Sequence, residues 1–233
     1  MKNNRKGIIL AGGLGTRLRP LTQIVSKQLL PIYNKPMIYY PLSILININI
    51  KEILLISDSY NLKFYKKLLG NGKQFGVNLS YKVQKRPNGI AAAYLIGEKF
   101  LNNKPSVLIL GDNIFHGSNL LTKFKRAANS KFSSIFTYEV DDPSAYGVLI
   151  SKNGKRQIIE KPQFSNSKKA VVGIYFLDAS ASKKAKKLKP SKRNELEITD
   201  LNNLYLKKKI KTTRLMNYLK YTVLVNLIVI MHQ

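Results

Sequence analysis

The segment Leu10–Pro20 reads L-A-G-G-L-G-T-R-L-R-P and follows directly on the apolar run Gly7-Ile8-Ile9-Leu10. Three glycines and an arginine behind a buried strand constrain this chain more than any other stretch. A strand that runs into a glycine-rich turn brings backbone N–H groups together on an anion. Arg17 adds a fixed fork of donors. The spacing is neither G-x-x-x-x-G-K-[ST] nor G-x-G-x-x-G. The turn therefore predicts a seat for the phosphates of a nucleoside triphosphate, built differently from either of those two loops.

A chain of 233 residues, 44% of them hydrophobic, can bury the core of one large domain, or of a domain with a short appendage. It has no cysteine, which excludes disulfides and thiolate metal sites. Met1–Lys6 is polar and shows no signal-peptide pattern. Tyr221–Met231 is apolar but too short to span a bilayer, and it contains Asn226. A cytoplasmic protein without a membrane partner is the expectation. The net charge is +28, and the basic residues are spread along the chain, densest towards its end. Lysine outnumbers arginine, and asparagine and isoleucine are abundant, as the coding bias of an AT-rich genome would produce. No nucleic-acid-binding module is present. The charge is expected to favour small polyanions such as nucleotides over nucleic acid.

Short apolar runs alternate with helical patterns. Strands are predicted at 7–10, 52–57, 78–83, 106–110 and 134–138, and helices at 40–48, 62–69, 90–100 and 120–128. This alternation predicts an α/β fold: a Rossmann-like, mixed and mostly parallel sheet flanked by helices. In such sheets ligands bind beyond the carboxyl ends of the strands. Gly111-Asp112-Asn113, after the strand ending at Leu110, falls at such an end, as does the glycine-rich turn. From Tyr146 the pattern changes to a small β-rich part. Asn153-Gly154 between two apolar runs predicts a hairpin. A strand at 170–177 and helices at 179–188 and 199–206 follow, with Lys183–Lys192 as a solvated helix face.

Four further segments accompany the turn: Ser26-Lys27-Gln28-Leu29-Leu30-Pro31, Gly111–Phe115, Ile159-Glu160-Lys161-Pro162 and Glu195-Leu196-Glu197-Ile198-Thr199-Asp200. Together they resemble the sugar-phosphate nucleotidyltransferases. The run Ser26–Leu42 and the E-L-E-I-T-D segment resemble more specifically the glucose-1-phosphate thymidylyltransferases. The resemblance covers about residues 6–214, and a nucleotidyltransferase domain over 1–214 is expected.

In that family a sugar phosphate attacks the α-phosphorus of the nucleotide and pyrophosphate leaves. The protein's task is to align two anions and to stabilise transition-state charge. The resemblance implies dTTP or UTP and glucose 1-phosphate as substrates, and Mg²⁺ as cofactor. It makes Arg17, Lys27 and Lys161 the catalytic cations. Arg17 would hold the β- and γ-phosphates, Lys27 the triphosphate, and Lys161 the phosphate of glucose 1-phosphate. Leu10, Gly12, Gly13, Gly15, Thr16 and Gln28 complete the nucleotide end. Asn113, Tyr146, Gly147, Glu160, Val172 and Arg193 are the matching sugar-phosphate positions.

Asp112 follows a buried strand and a glycine, where a carboxylate can hold a hard cation that keeps its waters. A helix N-cap or Asx-turn is the other role for such a residue. The base is expected against Gln84, Pro87 and Gly89. Gln84 offers both a donor and an acceptor to a pyrimidine edge, and Gly89 permits close backbone approach. Thymine and uracil differ by one methyl group, which an apolar pocket discriminates weakly, so dTTP and UTP stay open.

The resemblance stops near Arg214. The family continues with a W-x-D-T-G-T segment whose aspartate is the second metal ligand, and with helices that contribute to homo-oligomer contacts. This sequence has no tryptophan, and no Asp or Glu after Asp200. Residues 215–233 read as a divergent basic and apolar tail, which a frameshift or premature stop would produce. Impaired catalysis with nucleotide binding partly retained is the expectation, and a nucleotide-binding remnant is the non-enzymatic alternative.

Overall fold

A computed structural model of the protein describes residues 4–13, 15–207 and 210–215. The apolar run after Arg5 forms β1 (Lys6–Leu10), and the glycine-rich turn leads on to a small hairpin, β2 (Pro31–Ile32) and β3 (Lys35–Pro36). Next come α1 (Tyr39–Asn47), β4 (Glu52–Ser57), α2 (Ser59–Leu69) and β5 (Asn78–Val83). Helices α3 (Ala92–Ile96) and α4 (Glu98–Leu101) precede β6 (Ser106–Leu110), α5 (Leu120–Ala128) and β7 (Ser134–Glu139). The hairpin β8 (Gly147–Lys152) and β9 (Lys155–Glu160) follows, then β10 (Lys169–Leu177), α6 (Ala181–Ala185), α7 (Ile198–Leu206) and β11 (Lys211–Arg214).

The main sheet runs β11-β7-β10-β6-β1-β4-β5, with β8 attached to β10 and β9 to β8. Strand β10 runs against its neighbours β6 and β7; the other six strands of that path share one direction. The mixed, mostly parallel sheet read from the sequence is thus the sheet observed. Its central strands are buried on both faces, which is why they read as continuous apolar runs. Ile9, Leu55 and Ile109 pack on one side with Leu45 of α1, Tyr65 of α2 and Phe124 of α5. Ile8, Leu54 and Leu108 pack on the other with Tyr94 of α3, Ala185 of α6 and Leu201 of α7.

Local chemistry sets the element ends. The Asp58 carboxylate accepts from the Asn61 backbone N–H at 2.9 Å and so caps α2. Asn153 and Gly154 both have positive φ, 51° and 71°, as a two-residue hairpin turn requires. The single helix predicted over 90–100 divides at Gly97. A Cβ there would lie 3.0 Å from the Ala93 carbonyl oxygen and 3.2 Å from the side chains of Ile8 and Leu54. The glycine lets this segment lie directly on the sheet. The helix predicted over 179–188 is shorter, since α6 ends at Ala185. The lysines beyond it therefore lie outside a helix. The sequence reading missed β2, β3 and β11. The first two are two residues long, and β11 (K-T-T-R) carries no apolar alternation.

The chain places β4 and β5 on one side of β1 and then returns to put β6 on the other. The order reverses between β1 and β6, so the crevice beyond their carboxyl ends is the expected ligand position. Leu10 and Leu110 are register partners there, and the Gly111 N–H donates to the Leu10 carbonyl at 2.8 Å. Residues 216–233, most of the predicted tail, lie outside the described residues.

Candidate active site

The turn after β1 is anchored at its root. The Ala11 N–H donates to the Ile56 carbonyl and the Ser57 hydroxyl to the Ala11 carbonyl, both at 2.8 Å. Leu10 itself is core, and its carbonyl is occupied by Gly111. Gly13 and Gly15 adopt φ of 117° and 57°, conformations that glycine takes without steric cost. The Thr22 hydroxyl donates to the Gly15 carbonyl at 2.6 Å and locks the turn. A single 3₁₀ turn, Thr16–Leu18, then carries the exposed Arg17.

A second 3₁₀ turn, Lys27–Leu29, presents Lys27 and Gln28. Gln28 is buried and accepts from the Ser26 hydroxyl at 2.5 Å; the Ser26 hydroxyl also bonds Tyr65 at 2.8 Å. The Lys27 ammonium lies 3.2 Å from the Asp112 carboxylate. Gly12, Gly13, Gly15, Thr16, Arg17, Lys27, Gln28 and Asp112 line one cavity of about 220 Å³.

Asp112 and Asn113 leave the end of β6. The Asn113 amide donates to Asp112 at 3.1 Å, and its oxygen accepts from the Gly173 N–H at 3.1 Å. A Cβ on Gly173 would lie 2.6 Å from that same oxygen. Glycine is thus required where β10 shifts register between Val171 and Tyr175. Sequence reasoning missed Gly173, because only the pairing of β10 with β6 brings it to Asn113.

A second cavity of about 360 Å³ is lined by Asp112, Asn113, Tyr146, Gly147, Glu160, Lys161, Val172 and Arg193, among others. The Lys161 N–H donates to the Tyr146 carbonyl at 2.9 Å and holds Lys161 at φ 44°. That left-handed conformation is uncommon for a side-chain-bearing residue. The Tyr146 hydroxyl is pushed up by burial and drawn back by the positive charge of Arg17. The Thr199 hydroxyl donates to Glu160. Gly147 packs tightly beneath it, since a Cβ would lie 2.9 Å from the Thr199 oxygen.

Arg193 is held by carboxylates. Its Nη2 lies 2.9 Å from both Glu197 oxygens, 3.4 Å from Glu160 and 3.5 Å from Glu195. Burial works against its charge, but the Glu197 contact and the neighbouring carboxylates outweigh it and raise its pKa. Glu195, Glu197 and Thr199 alternate along E-L-E-I-T-D, and that spacing is the one signal in the sequence that they share a site.

Gln84, Pro87 and Gly89 line neither cavity. Gln84 is buried, donates to Asn88 at 2.8 Å, and stands against Gly12, whose Cβ would lie 2.9 Å from its oxygen. Pro87 is exposed in the following loop. The close backbone approach at Gly89 is made by Leu196: a Cβ would lie 2.4 Å from its carbonyl oxygen.

Asp112 lines both cavities, so it sits where two ligands would meet. Among the described residues no group of three or more His, Cys, Asp or Glu side chains could hold a metal. Mg²⁺ commonly takes one or two carboxylates and completes its shell with phosphate oxygens and water. A lone Asp112 on a cavity that also carries Arg17 and Lys27 fits that habit. No helix among the described residues is long and apolar enough to cross a membrane.

The model of the nucleotidyl transferase family matches residues 6–220. A glucose-1-phosphate thymidylyltransferase of Xanthomonas campestris pv. campestris (strain B100) is 55% identical over 205 residues, covering 87% of this chain and 70% of that protein. That of Mycobacterium tuberculosis (strain H37Rv) is 46% identical over 203 residues, covering 86% and 70%. Among solved structures, a glucose-1-phosphate thymidylyltransferase from Bacillus anthracis in complex with sucrose superposes with a TM-score of 0.82 at 40% identity, over 92% of this chain and 88% of that one. A UDP-glucose pyrophosphorylase complexed with UDP-glucose superposes with a TM-score of 0.77 at 26% identity, over 92% of each chain.

Proposed function

This chain belongs to the nucleotidyl transferase family, and from that premise we propose that it transfers a thymidylyl group from dTTP to glucose 1-phosphate, giving dTDP-glucose and pyrophosphate. The observation that carries the proposal is the position of Asp112 on both the glycine-lined cavity and the acid- and lysine-lined one. Two anionic substrates seated in these cavities meet at one carboxylate. The thymidylyltransferase relatives support the choice of substrates.

In this reading the triphosphate lies on the turn after β1, with Arg17 and Lys27 against its negative charge. A phosphate oxygen of glucose 1-phosphate, held by Lys161, attacks the α-phosphorus. The bond from that phosphorus to the bridging oxygen breaks, and the electron pair leaves with pyrophosphate. Catalysis of this kind is alignment and charge stabilisation. Glu160 receives sugar hydroxyls, oriented by Thr199 and Arg193. Mg²⁺, when bound, supplies charge neutralisation at the phosphates, and Asp112 is the side chain that would hold it. The reading sets the reaction in the cytoplasm.

A uridylyl transfer on the same scaffold is the second reading. It is favoured by the likeness to the pyrophosphorylase solved with UDP-glucose and by the single methyl that separates the bases. Pyrophosphate release with glucose 1-phosphate and dTTP or UTP in turn tests both. Release with dTTP alone or preferred supports the first, and preference for UTP the second. The same assay measures the turnover of the chain.

A further inference from the structure

Ser26 stands at the N-cap of the 3₁₀ turn that presents Lys27 and Gln28. Serine at such a position ordinarily accepts from a backbone N–H of the turn, but here it makes no capping bond. Its hydroxyl is buried and donates instead to the Gln28 side-chain oxygen at 2.5 Å. That uses the one hydrogen of the hydroxyl. The 2.8 Å contact between the Ser26 and Tyr65 hydroxyls therefore takes its hydrogen from Tyr65. Tyr65 is fully buried on α2, and its oxygen lies 3.4 Å from the same Gln28 oxygen. Burial pushes its hydroxyl pKa up, which keeps it a donor.

Both ends of this relay are anchored. Asn61, one helical turn before Tyr65 and on the same face of α2, accepts from the Ser26 N–H at 2.9 Å and donates to Asp58 at 2.8 Å. Helix α2 thus holds Ser26 by its backbone and by its side chain. The Gln28 carbonyl accepts from the Ile38 N–H at 2.9 Å, and a Cβ on Gly111 would lie 3.1 Å from the Gln28 Cγ. With the amide oxygen turned to the two hydroxyls, the amide nitrogen points the other way. It has no hydrogen-bond partner among the described residues. The side-chain polar atoms there that are both fully buried and unpartnered belong to Tyr94, Ser106 and Asn202. The Gln28 nitrogen is thus open to the 220 Å³ cavity that Gln28 lines with Arg17 and Lys27. Two cations and an N–H suit an anion, and an amide turned round would set its oxygen against that anion. Neither Ser26 nor Tyr65 lines the cavity.

We infer that Ser26 and Tyr65 are positioning residues of the transfer reaction: their hydroxyls fix the Gln28 amide so that its N–H donates to the nucleotide. The inference rests on reading this cavity as the nucleotide seat.

The test is a double-mutant cycle, followed by calorimetric binding of dTTP with Mg²⁺ and by pyrophosphate release. Ser26→Ala is expected to weaken dTTP binding by about five- to tenfold. The KM for dTTP rises with it, and that for glucose 1-phosphate stays unchanged. Ser26→Thr keeps the hydroxyl and is expected to recover most of the lost affinity. Tyr65→Phe removes the outer bond of the relay and is expected to act in the same direction, by less. Gln28→Met keeps the length of the side chain and removes its amide. In that background Ser26→Ala and Tyr65→Phe are expected to cause no further loss of dTTP affinity, because the group they act through has gone. Residues that merely support the fold give the same loss in both backgrounds, and that result overturns the inference. Unchanged dTTP binding in Ser26→Ala overturns it as well. Tyr65→Phe supplies the same cycle if Ser26→Ala does not fold. A parent protein that does not bind dTTP removes the reading of the cavity itself, and the inference with it.

Discussion

The Lys27 ammonium lies 3.2 Å from the Asp112 carboxylate across the place where the two cavities meet, with 12% and 30% of the two side chains exposed. Each is the other's counter-ion while no substrate is bound. On the proposed reaction the pair must part: Lys27 turns to the triphosphate, and Asp112 is released to a cation. The contact therefore ties metal affinity to nucleotide binding through two side chains.

Replacing Lys27 with Met should separate these roles. Turnover should fall by about a hundredfold or more, the usual loss when a positioned charge is removed. The nucleotide-free variant should bind Mn²⁺, used as a probe, more tightly than the parent, because Asp112 loses its competing cation. Electron paramagnetic resonance titration measures this. Unchanged Mn²⁺ affinity would mean that Lys27 does not control access to Asp112.

Gly89→Ala should destabilise the protein by about 1–3 kcal/mol. Its φ is 99°, and a Cβ would lie 2.4 Å from the Leu196 carbonyl oxygen. Leu196 also donates to the Asn88 carbonyl and accepts from the Ala91 N–H, so the strain falls where the loop after β5 meets E-L-E-I-T-D. A denaturant midpoint that does not move contradicts this.

Arg5 is a buried clamp at the amino end of β1. Its guanidinium donates to the carbonyls of Leu177 at 2.7 Å, Ser130 at 2.6 Å, Ala128 at 3.0 Å, Ser106 at 3.2 Å and Phe132 at 3.3 Å. Arg5→Lys keeps the charge but loses the planar fork. Several buried carbonyls would then lose a donor, and a loss of about 3 kcal/mol or more in unfolding free energy is expected. Equal stability in urea would show that these contacts are replaceable.

Stability should fall as pH rises beyond about 10, the ordinary tyrosine value. Burial pushes the Tyr81 hydroxyl up to about 12, and it pushes Tyr65, Tyr94, Tyr175 and Tyr205 up as well. A group whose folded pKa is raised contributes stability fully present below its unfolded value, and that stability is lost as pH rises towards the folded one. Ultraviolet titration should show exposed tyrosines ionising first and the buried ones together with unfolding. A single step with all tyrosines ionising in the folded state would contradict this.

Much of this architecture was legible because it is local. Strands β4, β5 and β6 occupy the residues their apolar runs predicted, and the Asn153-Gly154 turn sits where its dipeptide placed it. The glycine-rich turn and Asp112 were readable as strand-end features. What escaped depends on contacts distant in sequence. Gly173 is required only because β10 lies antiparallel on β6. Arg193, expected against a sugar phosphate, lies near Glu195 and Glu197 in sequence, but its third carboxylate, Glu160 of β9, is one that a linear reading could not bring to it. The division at Gly97 follows from the packing of that segment on Ile8 and Leu54, which periodicity does not report.

The central claim is tested most directly by pyrophosphate release from the purified chain with Mg²⁺, dTTP and glucose 1-phosphate, beside an Asp112→Asn control. The account predicts release that requires the sugar phosphate and drops by about a hundredfold or more in the control. Release that does not depend on glucose 1-phosphate, or that is unchanged in Asp112→Asn, would contradict it.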